Sequence, residues 1–465
     1  MFASLVALAL LAVAFFRPGN MVLYLGFAFM SFGTLAIIPP SFVGGTTILA
    51  SAITFLALAG QQSLKPMGTQ WMLSGITRLG DLGLLFLFTI WAVLGAFFLP
   101  RAFQGEILVY PMRALGLVSY AAPLQPTSSN INQALNLVID CGVAAAVYAM
   151  SRRPGFTDSM KRALLIGGVF VVITGLADFL TASVGLGGLL DPFRTASYVL
   201  MADSEVAGAR RLIGLMAEAS GFGSVAVSLG ALLFFTRYSY DVKTRFRYVY
   251  PISLVCLVMA LMSTSSTAYA ALAVFFALHL LDILWRMMFG LKKFSGPLFY
   301  EIILSFMALL LLVSVVAAWA EAQATIMSML DSIIFNKKQS SSYLERSAWT
   351  NQAFQAFWES NGVGIGVGGA RTSNFFVNIL ASTGVLGVLL FGLFIARVFF
   401  ARIPRECPEE FELVHGFKLT LFVAATVAAL AGTTPDYGTL VACIFGVCVG
   451  LATHKLKGDT EAPPL

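Results

Sequence analysis

Residues 163–184 read ALLIGGVFVVITGLADFLTASV, an apolar run broken by one carboxylate, Asp178, and preceded by Arg152, Arg153, Lys161 and Arg162. A hydrocarbon layer of about 30 Å calls for about 20 apolar residues per crossing, and backbone groups are satisfied there only in a helix or a closed barrel. The run is too long for a barrel strand and predicts a transmembrane helix. Comparable runs lie near residues 1–16, 21–38, 46–59, 83–99, 133–150, 212–235, 250–264, 267–285, 298–319, 373–397, 416–432 and 439–453. The expected fold is therefore all-α, a polytopic membrane bundle of about 12 or 13 helices. The first run lacks the basic flank and small-residue cleavage pattern of a signal peptide, so it is read as a span.

Composition fits that class. Hydrophobic residues make up 58% of the chain and charged residues 11%, with 40 Phe, against roughly 25% charged in a soluble domain. Lys and Arg gather in alternate connections: Arg152 to Arg162, Arg237 to Arg247, Arg286 to Lys293 and Arg397 to Arg405. These are expected on the cytoplasmic side, which puts the connections 100–132, 185–211 and 321–372 on the opposite face. The net charge of +6 is thus a topology signal and gives no reason to expect a nucleic-acid partner. The organisation this predicts is a transmembrane bundle over 1–320, a large outer loop over 321–372, C-terminal transmembrane helices over 373–453 and a disordered cytoplasmic tail over 454–465.

Cys141, Cys256, Cys443 and Cys448 fall in spans and Cys407 in a cytoplasmic connection, so no disulfide is expected in the outer loop. His279, His415 and His454 all fall near the cytoplasmic side, without Cys or His at ligand spacing. No metal site is expected. Asp203 and Glu205 have an acidic spacing, but nothing else completes an oxygen shell.

The outer loop carries the densest polar pattern. Trp349, Ala353, Ala356 and Phe357 recur at helical spacing, while Ser347, Thr350, Asn351 and Gln355 take the other face. Ser342 to Glu345 has the form of a capping box, and Asn361-Gly362 supplies a stop. A helix beginning just before Arg346 is predicted, with Trp349 one turn on and placed to pack against the Arg346 stem. The glycines at 362, 364, 366, 368 and 369, followed by Arg371 and Asn374, read as a close-approach loop returning the chain to the membrane. They do not follow a dinucleotide or P-loop pattern.

The stretch Leu344-Glu-Arg346-Ser-Ala-Trp349, with Gly364-Ile-Gly366, Asn374 and Ala381-Ser-Thr-Gly384-Val-Leu-Gly387 after it, resembles the C-terminal signature of the O-antigen ligase and O-antigen polymerase superfamily. The likeness covers about 70 residues, and the succession of spans with one large outer loop near the end extends it. It implies an inner-membrane glycosyltransferase of the GT-C type, acting on undecaprenyl-diphosphate-linked saccharides at the periplasmic face. It also implies no cofactor, and partners such as a flippase and a chain-length regulator. The ligase branch carries a His-Asn pair near the end of the loop. Here that place reads Arg371-Thr-Ser373-Asn374, which tilts the expectation toward polymerisation of repeat units.

The same residues suit that chemistry on physical grounds. A departing lipid diphosphate needs charge stabilisation, which guanidinium groups supply through forked hydrogen bonds. The candidates are Arg346 and Arg211 for catalysis, with Arg210, Arg371, Arg113 and Asn374 binding the diphosphate. Arg210 and Arg211 resemble a second arginine region of the superfamily. Glu218 is the first choice for the group that takes the acceptor proton. The connection 100–132 is long enough to line the same outer cavity. Asp140 and Asp178, costly within spans, are expected to face the interior, and Ser263 to Thr267 to satisfy backbone at a helix break. Ligation of a finished polymer to an acceptor such as lipid A core, and transport by a flippase, are the competing readings.

Overall fold

A computed structural model of the chain describes residues 2–38, 47–112, 120–197, 205–206, 209–288 and 341–456. The predicted span 298–319, the first part of the outer loop (321–340) and the tail from 457 lie outside the described residues. Among those described, seven helical stretches are long and apolar enough to cross a membrane, and three shorter apolar helices accompany them. The chain is a multi-pass, all-α membrane protein.

The first helices are α1 (Phe2–Phe16), α2 (Met21–Phe29), α3 (Ala50–Leu64), α4 (Gly68–Thr77), α5 (Leu84–Ala102), α6 (Ser128–Met150) and α7 (Phe156–Ser183). The second group is α8 (Ala219–Phe235), α9 (Tyr250–Met262), α10 (Ser266–Met288), α11 (Ser341–Glu359), α12 (Phe375–Phe400), α13 (Pro408–Ala431) and α14 (Gly438–Leu456). The structure departs from the sequence reading in several places, and the span expected over 212–235 becomes helical only at Ala219. The span expected over 21–38 stops at Phe29, and Ala36–Ile38 (β1) pairs antiparallel with Ile48–Leu49 (β2) instead. Thr34 explains the break, since its N–H and hydroxyl both bond to the Leu215 carbonyl across the bundle. Helix α4 was not expected: ten residues with Thr69, Gln70 and Ser74 among them are too few and too polar to register as a span.

Small residues set the closest packing. Gly446 and Gly450 of α14 face α6, and a Cβ on Gly446 would stand 2.6 Å from the Ala144 carbonyl oxygen. This is the four-residue small-residue spacing by which membrane helices approach one another. Asp140 of α6 accepts the Gly438 N–H at 2.8 Å, so this carboxylate caps the first turn of α14.

Helix α12 is broken at Gly384, which has φ 64°. In lipid a break is tolerated only where the freed backbone groups find partners, each unsatisfied group costing several kcal/mol. The glycine loop provides them. Ile365 N–H bonds to Ala381 O at 2.8 Å, Gly366 N–H to Ser382 O at 3.0 Å, and Val385 N–H to Gly362 O at 3.0 Å. Gly364, Gly366 and Gly368 all have positive φ. A Cβ on each would fall 2.7 Å from Gly384 N, 2.6 Å from Pro100 Cδ and 2.6 Å from Ser129 O, respectively. The close-approach reading thus acquires three named neighbours: the broken α12, α5 and the start of α6.

A side chain at Gly384 would meet the Val363 carbonyl oxygen at 2.2 Å, in a left-handed conformation. Gly384→Ala is expected to cost at least about 3 kcal/mol, seen as a lower melting temperature in detergent. Gly392→Ala, in the same helix with open space around its Cβ position, is the control and should not lower it.

Candidate functional site

The polar loop pattern resolves into one face of α11. Tyr343, Arg346, Ser347, Thr350 and Asn351 fall at helical spacing and line a cavity of about 380 Å³. The opposite stripe, Trp349, Ala353, Ala356 and Phe357, is buried. Ala353, Ala356 and Phe357 pack on Ile107, Val109 and Leu124, so the connection 100–132 cradles α11, and none of its described residues lines this cavity. The pairing of Leu108–Val109 (β3) with Ala122–Pro123 (β4) and a bond from Gln352 to Leu108 O at 2.9 Å hold that cradle. The described helix runs from Ser341, so Ser342 lies within it and is not its N-cap. Its end is as expected, with Gly362 N–H closing on Phe357 O at 3.0 Å and Asn361 at φ 54°.

The rest of the wall comes from helix starts. Glu218 and Ser220 stand at the beginning of α8, Ser265 to Thr267 at the beginning of α10, and Ser373 and Asn374 at the beginning of α12. Three N-termini therefore direct the positive ends of their dipoles toward one hollow. Asn374 caps α12 by accepting the Val377 N–H at 3.1 Å. Thr350 accepts the Ser373 N–H at 3.2 Å, which ties α11 to that helix start.

The adjacent arginines part company. Arg211 turns into the cavity, its Nε 3.2 Å from Thr264 Oγ1 and its Nη2 3.3 Å from Thr264 O. Arg210 turns away and pairs with Asp178 at 3.0 Å, beside Arg194 at 3.4 Å. Asp178 also accepts the N–H groups of Ile213 and Gly214 at 3.0 Å each. Its carboxylate thus fixes the segment on which Arg211 is carried, and Arg210 is a support rather than a cavity residue. Arg346 lines the same cavity as Arg211. The Trp349 indole packs under Arg371, whose guanidinium lies 3.7 Å from the ring centre. Arg371 stands behind the wall, its backbone N–H on Tyr110 O at 2.8 Å. Arg113 and Asp203 lie outside the described residues.

Electrostatics join these groups. Burial lowers the pKa of Arg211, while Glu218 raises it and Arg346 lowers it further. Burial likewise lowers Arg371, with Glu345 and Glu218 opposing and Arg346 adding to the effect. Arg211, Arg346, Arg371 and Glu218 are therefore within electrostatic reach of one another. Among the described residues no group of three or more His, Cys, Asp or Glu is placed to hold a metal ion.

Glu218 and Ser220 also belong to a second, apolar cavity of about 500 Å³ between α8, α12, α13 and α14. Phe375, Phe391, Leu421, Leu440 and Phe445 form much of its wall, and Asp436, whose pKa is raised by burial, stands at its edge. Sequence reading did not foresee this second chamber, nor the part of Ser265 to Thr267 in the first. Their only signal was a run of hydroxyl residues between two spans. Comparison with protein-family models and with curated proteins yields no match.

Removing the Asp178 carboxylate would leave two backbone N–H groups without their acceptor, take the ion pair from the partly exposed Arg210 and leave the buried Arg194 with only its longer contact to Asp191. Asp178→Ala is expected to cost about 3–5 kcal/mol, read as a lower melting temperature or loss of monodisperse protein. Arg210→Gln leaves the carboxylate with three donors and should cost clearly less; equal losses would contradict the assigned support role.

Proposed function

We propose that this protein is an inner-membrane glycosyltransferase that polymerises undecaprenyl-diphosphate-linked oligosaccharide repeat units on the periplasmic side. One observation carries the reading: a polar, arginine-bearing cavity and a larger apolar one meet at Glu218 and Ser220. That is the shape of an amphiphile with an anionic head. Both volumes fall in the usual range for ligand sites, and the resemblance around Arg346 and Gly384 points to the same substrate class. The clustering of Lys and Arg at the opposite end of the bundle supports a periplasmic position for the cavity.

In this reading the diphosphate sits between Arg211, Arg346 and the starts of α8, α10 and α12, and the polyprenyl chain lies against the phenylalanines of the second cavity. A hydroxyl of one lipid-linked saccharide attacks the anomeric carbon of another. The new carbon–oxygen bond forms as the bond to the phosphate oxygen breaks, and the diphosphate leaves with the electron pair. Glu218 takes the hydroxyl proton. Direct displacement inverts the anomeric centre. The two guanidinium groups act where negative charge grows, which is where fixed donors contribute most.

Arg346→Ala and Arg211→Ala, each at normal membrane abundance, are expected to lower polymer formation by about 10²–10³-fold. Glycans resolved on a gel separate the alternatives. Loss of long chains with single units still attached supports polymerisation. Loss of all attachment indicates ligation, and unchanged chains with unprocessed units trapped inside indicate transport. Wild-type behaviour of both variants would refute the site.

A further inference from the structure

A second amphiphilic hollow lies at the other end of the bundle, sharing no residue with the two cavities above. Helix α4 is too short to cross a membrane, and the chain unwinds after Thr77 before rising again as α5. Between α4, α5 and α6 this leaves a cleft of about 450 Å³. Its walls are almost wholly apolar, with Met72 and Ile76 from α4, Phe86 and Ile90 from α5, and Val138 and Ala145 from α6. Leu73 and Leu94 on its rim remain 52% and 48% exposed, so the cleft is open along its side.

Of the three hydroxyl residues that line the cleft, Thr89 spends its hydroxyl on the Leu85 carbonyl within α5, and the other two lie together at one end. Ser63 and Thr69 line it there, joined by a bond from the Thr69 hydroxyl to Ser63 O at 2.8 Å. The turn between them carries Lys65 and receives Arg153, whose Nη2 donates to Pro66 O at 2.9 Å. Arg153 also lies over the Trp71 ring at 5.1 Å, an aromatic placed as at a membrane interface. Burial and the nearby Arg153 guanidinium both lower the Lys65 pKa. Among the described residues neither cation has a carboxylate partner, and the buried Arg153 Nε has no acceptor. The first turn of α4 adds the positive end of its dipole at the same point. Two like charges brought together beside an apolar cleft call for an anion that brings its own apolar chain.

We infer that the cleft between α4, α5 and α6 binds one anionic phospholipid, its phosphate on Lys65 and Arg153 and an acyl chain along Met72, Ile76 and Ile90. Charge complementarity selects an anionic headgroup over a zwitterionic one, whose own cation would face Lys65 and Arg153. The apolar wall distinguishes a lipid from free phosphate. The bound molecule would hold α4 against α5 and α6 in the leaflet at the basic end of the bundle.

The test uses the purified full chain in detergent, titrated with dioleoyl phosphatidylglycerol or dioleoyl phosphatidylcholine. Native mass spectrometry reads lipid bound, and melting temperature reads its effect. The wild type should retain phosphatidylglycerol in preference and melt higher with it. A Lys65→Gln/Arg153→Gln double variant should weaken that binding by about tenfold or more. Ile90→Trp, which fills the cleft and keeps both cations, should weaken it as well. Equal retention of the two lipids, or unchanged phosphatidylglycerol binding in both variants, would overturn the inference. So would a rise with inorganic phosphate alone that matches the lipid and survives Ile90→Trp, since that describes a bare anion site.

Discussion

The backbone exchange between the glycine return and the broken α12 is the contact on which the polar cavity depends. A helix interrupted at Gly384 within an apolar stretch leaves carbonyls that water cannot reach. Ile365 and Gly366 satisfy those of Ala381 and Ser382, and Val385 returns the favour to Gly362. Because each partner belongs to a different segment, α11 cannot drift relative to α12 without exposing several amide groups to hydrocarbon. Arg346 is thereby held on a rigid face although it belongs to an extramembrane connection. The alternating glycines are required because the loop approaches backbone on three sides, where a Cβ has no room.

A comparable device positions Arg211. Asp178 draws in Arg194 and Arg210 and accepts two consecutive backbone N–H groups, so the chain at 210–214 is fixed from within the bundle. A carboxylate this buried is tolerated because its donors are many. Once Arg210 is committed to that pair, its neighbour points the other way, onto the hairpin carbonyls of Ser263 and Thr264. Two adjacent arginines of equal appearance in sequence are thereby given different work, one structural and one facing the cavity.

Much of the fold was legible because its signals are local. Apolar length gave the membrane class and most spans, and the period of Trp349, Ala353, Ala356 and Phe357 gave α11 and its buried face. What escaped depended on partners far along the chain. Helix α2 ends early because Thr34 finds Leu215, and α4 forms because α6 lies beside it; neither contact leaves a mark on the local pattern. The site was legible in its residue types: Arg346, Arg211, Glu218 and Asn374 do line one hollow. Arg210 and Arg371 differ because ion pairing and ring stacking compete for guanidinium groups, and that choice is made in three dimensions.

Glu218 bears on the chemistry through its position more than its identity. It sits at the boundary of the polar and apolar chambers, before the first turn of α8, where its backbone is extended and its side chain meets the Ser220 hydroxyl. A carboxylate there lies within electrostatic reach of Arg211 and Arg371 and offsets part of the repulsion that Arg346 adds at each. In the proposed displacement the head group would therefore meet the guanidinium charge of Arg211 and Arg346 on the same side of the chamber boundary as the carboxylate, so that binding and proton acceptance are served by one group of side chains.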